Sequence, residues 1–231
     1  MNEENQNENE ILEAEGSQNQ LLEKNEELKS ATKKVLGEKI EGKFHGIEEH
    51  YNEEGKLTAH LPFEAGVLHG EARRYDSSQR LKENLRYKKG TAHGLAEFYK
   101  NGTLAMHTTF NEGKQHGESI IYDDAGMLRA RIQYENGKKN GTSIAYDSQG
   151  RVKRIFHYQS DILEGPTLAY YPSGTLLETG LYREGKKEGE FRIFHENGRI
   201  YQLMVFDRGR LIRKPQFFDQ NGNPISTGIE R

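Results

Sequence analysis

The sequence predicts an all-β fold: an elongated, single-layer antiparallel β-meander of tandem hairpins, about 24 residues each, preceded by a short N-terminal helix. Three observations predict it. Paired glycines recur along the chain, aromatic residues recur in step with them, and turn dipeptides separate runs of strand length.

The first glycine recurs at Gly42, Gly66, Gly90, Gly113, Gly137 and Gly185, and the second at Gly46, Gly70, Gly94, Gly117, Gly141, Gly165 and Gly189. A mid-repeat aromatic follows at Tyr51, Tyr75, Tyr99, Tyr122, Tyr146, Tyr170, Phe194 and Phe218. A closing aromatic follows at Phe63, Tyr87, Phe110, Tyr134, Tyr158, Tyr182 and Phe206. The spacing is 24 residues apart from one 23-residue step, which gives seven full units and a degenerate eighth. A fixed period of this length is the mark of a repeat architecture.

Within a unit, Glu118–Tyr122 and Leu128–Tyr134 have strand length and strand composition. Asn101-Gly102, Asn136-Gly137, Asn197-Gly198 and Asn221-Gly222 stand between such runs. Both residues of Asn-Gly accept positive φ, which makes the pair a strong hairpin signal. Strands lie ~4.8 Å apart, so each unit extends the meander by ~10 Å. Both aromatic ladders, with Leu57, Leu81, Leu104, Leu128, Val152, Leu176 and Ile200, are expected to form the buried stripe. No hairpin is stable alone, so stability is expected to come from neighbours.

Tyr-x-x-x-Gly-x-Leu and Gly-x-x-x-Gly-Glu, as at Gly66–Glu71 and Gly113–Glu118, resemble MORN repeats. The array over roughly residues 40–231 is most similar to the bacterial MORN-variant family, whose members are often labelled YwqK-type antitoxins. The resemblance implies repeated hairpins and a binding role, with protein or membrane partners. The antitoxin label implies a toxin partner.

Composition bounds the rest. Only 33% of residues are apolar and 30% are charged, so a thin structure held by stacked rings is expected instead of a thick aliphatic core. The mean hydropathy of -0.95 agrees. There is no cysteine, which excludes disulfides and thiolate metal sites. The N-terminus lacks the basic and apolar regions of a standard secretion signal and no run is long enough to span a membrane, so a cytoplasmic location is expected, with non-standard export left open. Residues 1–30 hold nine acids and two bases, a net of -7 within a chain of -3. The mild positive excess of the remainder does not point to nucleic acid.

Residues 1–16 read as a disordered acidic tail, and residues 17–37 as a helix or cap, with a capping box at Ser17–Gln20 and Leu21, Leu28 and Val35 at heptad spacing. That helix either covers the exposed edge of the first repeat or binds a partner. The repeat array is placed at 38–231.

Taking the mid-repeat aromatic as inward, the other face is polar early, with Glu48, His50, Thr58, His60, Arg74, Lys82, Asn84 and Arg86. It is apolar late, with Tyr171, Leu177, Leu181, Phe191, Ile193, Tyr201, Leu203 and Val205. Either the chain covers this late face itself, or a protein partner or second copy does. These eight are the candidate partner-binding residues. Lys88, Lys89, Lys138, Lys139, Lys186 and Lys187 flank the turns, as a solvated edge or as a weaker site for anionic lipid or an acidic partner.

His45, His69, His93 and His116 precede the second glycine, but successive units are ~10 Å apart while zinc ligands lie ~2.1 Å from one ion, so a polar turn role is expected. No nucleophile elbow, phosphate loop or acid–base pair is present. The expectation is a non-catalytic interaction scaffold without metal or cofactor.

Overall fold

A computed structural model describes residues 32–225. Every regular element among them is a β-strand, and every pairing is antiparallel. The chain divides into two units, residues up to Leu128 with Tyr134–Gly137, and Arg129–Gln133 with the residues from Lys138 onward.

The first unit contains β1 (Thr32–Ile40), β2 (Lys43–Tyr51), β3 (Leu57–Glu64), β4 (Val67–Leu68), β5 (Gly70–Tyr75) and β6 (Leu81–Lys88). It continues through β7 (Thr91–Lys100), β8 (Thr103–Asn111), β9 (Lys114–Gln115) and β10 (Gly117–Tyr122). Strand β11 (Leu128–Glu135) falls at the division. The second unit contains β12 (Lys138–Tyr146), β13 (Val152–Gln159), β14 (Ile162–Leu163), β15 (Gly165–Tyr170) and β16 (Leu176–Arg183). It closes with β17 (Lys186–Phe194), β18 (Ile200–Asp207), β19 (Arg210–Leu211), β20 (Gln216–Phe218) and β21 (Pro224–Ile225).

Two kinds of turn alternate along each unit. Two-residue turns hold both residues at positive φ, as at Glu41-Gly42 (49° and 76°) and Glu184-Gly185 (52° and 74°), the geometry that matches strand twist. At Ser160-Asp161 an aspartate replaces the glycine at φ 70°, a conformation Asp tolerates better than other side chains. The opposite turns span five residues. In Asp147–Arg151 the Oδ1 of Asp147 accepts the Gln149 and Arg151 amides at 2.9 and 3.0 Å. Asn52, Asp76, Asp123 and Asp219 do the same. Asn197-Gly198 and Asn221-Gly222 sit inside five-residue turns, where only the glycine has positive φ. Asn101-Gly102 forms a two-residue turn where the neighbouring hairpins have the longer loop, which accounts for the short step in the sequence.

Residues 32–37 are strand, not the end of a helix. Nine register pairs between β1 and β2 around the Glu41-Gly42 turn override the heptad spacing of Val35. Gly37 stands opposite Gly46, and a methyl on either would overlap the other's backbone, so this glycine serves close approach, not helix termination. The expected tail and the helix over 17–31 lie outside the described residues.

The core lies on one face of the sheet. In the first unit Leu61, Ala72, Leu85, Ala96 and Thr108 alternate large and small along the strands and are almost fully buried. In the second unit Ser143, Phe156 and Thr167 continue that alternation, which then reverses: Gly180 occupies the large position and Phe191 the small one. The Phe191 ring lies where a Gly180 methyl would be, and packs edge-on against Tyr182 (5.6 Å) and Phe206 (5.3 Å).

The two aromatic ladders lie on opposite faces, which corrects the expectation of one shared stripe. Closing aromatics such as Tyr182 and Phe206 belong to the packed face. Tyr122 instead stacks with His107 on the other face (5.8 Å), and Tyr51 donates its hydroxyl to Glu49, which stands opposite His60. The cause is a bulge in each hairpin: Ala169 pairs Glu178 but Tyr170 pairs Leu176, leaving Leu177 as an extra residue. One extra residue reverses the alternation between the two aromatics.

Candidate interaction surface

The bulges divide the sequence-predicted surface. On the face opposite the core lie Leu181, across from Pro166; Leu203, across from Arg192; and Val205, across from Glu190. Leu177 and Tyr201 are themselves the extra residues of successive bulges, and the Tyr201 ring packs edge-on against Phe217 (5.9 Å), which pairs with Gln202 of the packed face. Leu181 is 37% and Tyr201 39% exposed, while Leu177, Leu203 and Val205 are half-buried. An ion pair between Arg192 and Glu190 crosses the apolar patch.

Three expected members do not belong to it. Phe191 is 1% exposed and is part of the core. Ile193 lies on the packed face between Glu178 and Gln202. Tyr171 stands at the start of a five-residue turn and donates its hydroxyl to the Phe194 carbonyl at 2.7 Å. Burial, followed by the charge of Glu196, raises its pKa above the ordinary tyrosine value. The same correction moves Glu48, His50 and Arg74 to the packed face, where Arg74 pairs with the buried Glu83 at 2.9 Å. His60, Asn84 and Arg86 remain on the other face, while Thr58 and Lys82 are the extra residues of bulges and lie outside the register pairs. Pro166 and Leu168 join the late patch and were missed; they alternate in step with Tyr170 on their own strand, so placing the mid-repeat aromatic on this face would have found them.

The lysines also separate. Lys88, Lys89, Lys138 and Lys186 are exposed beside two-residue turns. Lys139 lies over the Tyr158 ring at 4.6 Å, and Lys187 lies 5.2 Å from both Phe191 and Phe206. These two cover aromatic faces of the core instead of extending a basic edge.

Residues before the second glycine have a structural partner. The Nδ1 atoms of His45 and His69 accept the Ala65 and Lys89 amides at 3.5 Å. Asn140 accepts Ser160 at 3.3 Å, Glu164 accepts Glu184 at 2.8 Å, and Glu188 accepts Arg208 at 2.9 Å. Each therefore caps the next two-residue turn, and His, Asn and Glu are interchangeable there because each offers an acceptor. The second residue of each turn donates backward as well: Gly66 to Phe44, Gly90 to Leu68, Asp161 to Lys139 and Gly185 to Leu163. Among the described residues no cluster of three histidines or carboxylates could hold a metal, and no helix is long and apolar enough to cross a membrane.

Tandem antiparallel hairpins with turn-to-turn hydrogen bonds and an exposed apolar patch define a β-repeat protein. The family model described as "MORN repeat variant" matches residues 44–65, 115–136, 163–184 and 187–207, so the chain carries MORN-type repeats at these positions. No curated protein sequence matches it. Similar solved structures include a mutant of S. aureus TarM in complex with fondaparinux, alpha-GlcNAc-glycerol and UDP (13% identity, TM-score 0.24, covering 52% of this chain and 19% of that one). Others are a GtfA/B complex bound to UDP and GlcNAc (15%, TM-score 0.22, 58% and 25%) and TarM (12%, TM-score 0.20, 77% and 26%). The chain spans 19% to 26% of the length of these proteins, and likeness at such TM-scores carries no argument about fold or activity.

Proposed function

We propose that the protein is a non-catalytic interaction scaffold whose 24-residue hairpin repeats present a β-sheet surface to a protein partner. The observation that carries this reading is the patch of Pro166, Leu168, Leu181, Leu203 and Val205 on the face away from the core. Strand pairing fixes the backbone beneath it, so little ordering is needed on binding. Aliphatic side chains beside a charged pair suit the centre and rim of an interface. The triple variant Leu181→Glu, Leu203→Glu, Val205→Glu is expected to retain its β-sheet circular dichroism and lose partner capture in a pull-down read by mass spectrometry. Unchanged capture overturns the reading. An antitoxin-like role is the special case in which that partner is a toxin, and co-expression with a toxin encoded beside the gene tests it.

A second reading, binding of anionic lipid, is favoured by the exposed Lys138 and Lys186 beside turns of the second unit. It predicts sedimentation with phosphatidylserine vesicles but not with neutral ones, lost in Lys138→Glu, Lys186→Glu. Sedimentation that ignores lipid charge counts against it.

A further inference from the structure

Among the described residues the outward side of β1 is an open sheet edge. All nine residues of β1 are exposed although they pair with β2, including Val35 (51%), Leu36 (42%) and Ile40 (49%). Among the described residues β2 is the only strand that pairs with it. Such an edge is a template for another strand, and its own side chains decide which one.

Ile40 and Lys43 flank the two-residue turn and form the hydrogen-bonded pair that closes it. Antiparallel alternation then turns Leu36, Lys34 and Glu38 toward β2, while Lys33, Val35, Gly37 and Lys39 direct their N–H and C=O groups outward. We propose that this edge pairs with β1 of a second copy, antiparallel and centred on Leu36. Of the registers that keep like faces together, this one engages all four outward residues: Val35 with Gly37, and Lys33 with Lys39, each twice. The intervening closely spaced pairs are Leu36 with Leu36 on the two-fold axis and Lys34 with Glu38 on either side of it. Like faces of the two sheets stay aligned, because the partnered residues are separated by even numbers along the strand.

Charge complementarity selects this register. Each copy meets opposite charge at both Lys34 and Glu38 in close cross-strand pairs, the arrangement that stabilises a sheet. Among the described residues the carboxylate nearest Lys34 in an ion pair is that of Glu49, at 4.0 Å. The unfavourable Lys33–Lys39 pairing is relieved because the Lys33 ammonium is already held by Glu48 at 2.6 Å. The edge belongs to the first unit and the late apolar patch to the second, and the proposal does not depend on that patch.

The test is sedimentation velocity of the full chain over a range of concentrations. The wild-type chain is expected to show a concentration-dependent monomer–dimer equilibrium. Lys34→Glu places glutamate against Glu38, and Glu38→Lys places lysine against Lys34, so each variant alone is expected to be monomeric. Mixed one to one, the two variants have opposite charges at both pairs, and dimer is expected to return. Val35→Pro removes an outward N–H without touching the β1–β2 ladder and is expected to abolish the dimer with the same circular dichroism. A monomeric wild type at every concentration overturns the proposal, as does a dimer indifferent to these changes or a mixture that stays monomeric. A monomeric wild type whose β1 amides resist hydrogen exchange overturns it too, by assigning the edge to another segment of the chain.

Discussion

Single carboxylates close the turns that begin at Asp76, Asp147 and Asp219, and their ionisation ties stability to pH. Backbone amides, with the Arg151 side chain, hold the Asp147 carboxyl below its ordinary value near 3.8, and Asp76 and Asp219 are lowered by the same kind of contact. A lowered native pKa means that the folded chain binds fewer protons than the unfolded one, so stability is present above the ordinary value and is lost as pH falls through the native one. Asp147→Asn keeps an acceptor for the turn amides but does not titrate. Its deficit against wild type is expected to shrink on acidification and vanish below the native pKa, as measured by urea unfolding at stepped pH. In the core, Gly180→Ala drives a methyl into the Phe191 ring and is expected to destabilise the second unit by about 1–3 kcal/mol. Adding Phe191→Leu should recover part of that loss, because the smaller side chain vacates the space that the methyl needs. Failure of the rescue in chemical denaturation would place the cost elsewhere.

A hairpin here is defined as much by its caps and its bulge as by its strands. Glu164→Ala and Glu188→Ala remove the acceptors of the Glu184 and Arg208 amides and are each expected to cost about 1 kcal/mol, in line with other side-chain caps of backbone amides. Strands, turns and glycine periodicity were legible because each rests on local chemistry: Asn-Gly and Glu-Gly accept positive φ, and β-branched and aromatic residues fill strands. The assignment of faces was legible only in the closing strands, where Leu181 and Leu203 were placed as found. In the opening strands it failed for Phe191 and Ile193, because a bulge residue such as Leu177 has no sequence signature yet reverses the side-chain alternation. The strand over Thr32–Ile40 was hidden for another reason. Its pairing with β2 is a tertiary gain that heptad spacing cannot reveal.

At the scale of the molecule, stability is carried between neighbours. Phe98→Ala, at a side chain 2% exposed, is expected to cost about 3–5 kcal/mol. In native-state hydrogen exchange that loss should accelerate the amides of β6, β7 and β8 while leaving those of β16–β18 unchanged, since repeat arrays distribute stability through adjacent interfaces. Uniform acceleration along the chain would refute this locality. The backward donation from Gly66 to Phe44, Gly90 to Leu68 and Gly185 to Leu163 has a further consequence. Every turn brings its own donor and leaves behind a free carbonyl suited to the turn that follows, so a gene gaining or losing one whole 24-residue block encodes a chain with no orphaned joint. The far-side loops absorb single-residue slips, as Asn101-Gly102 does. Copy number is therefore the change this architecture tolerates most readily, and reach can evolve by duplication without redesign of any contact.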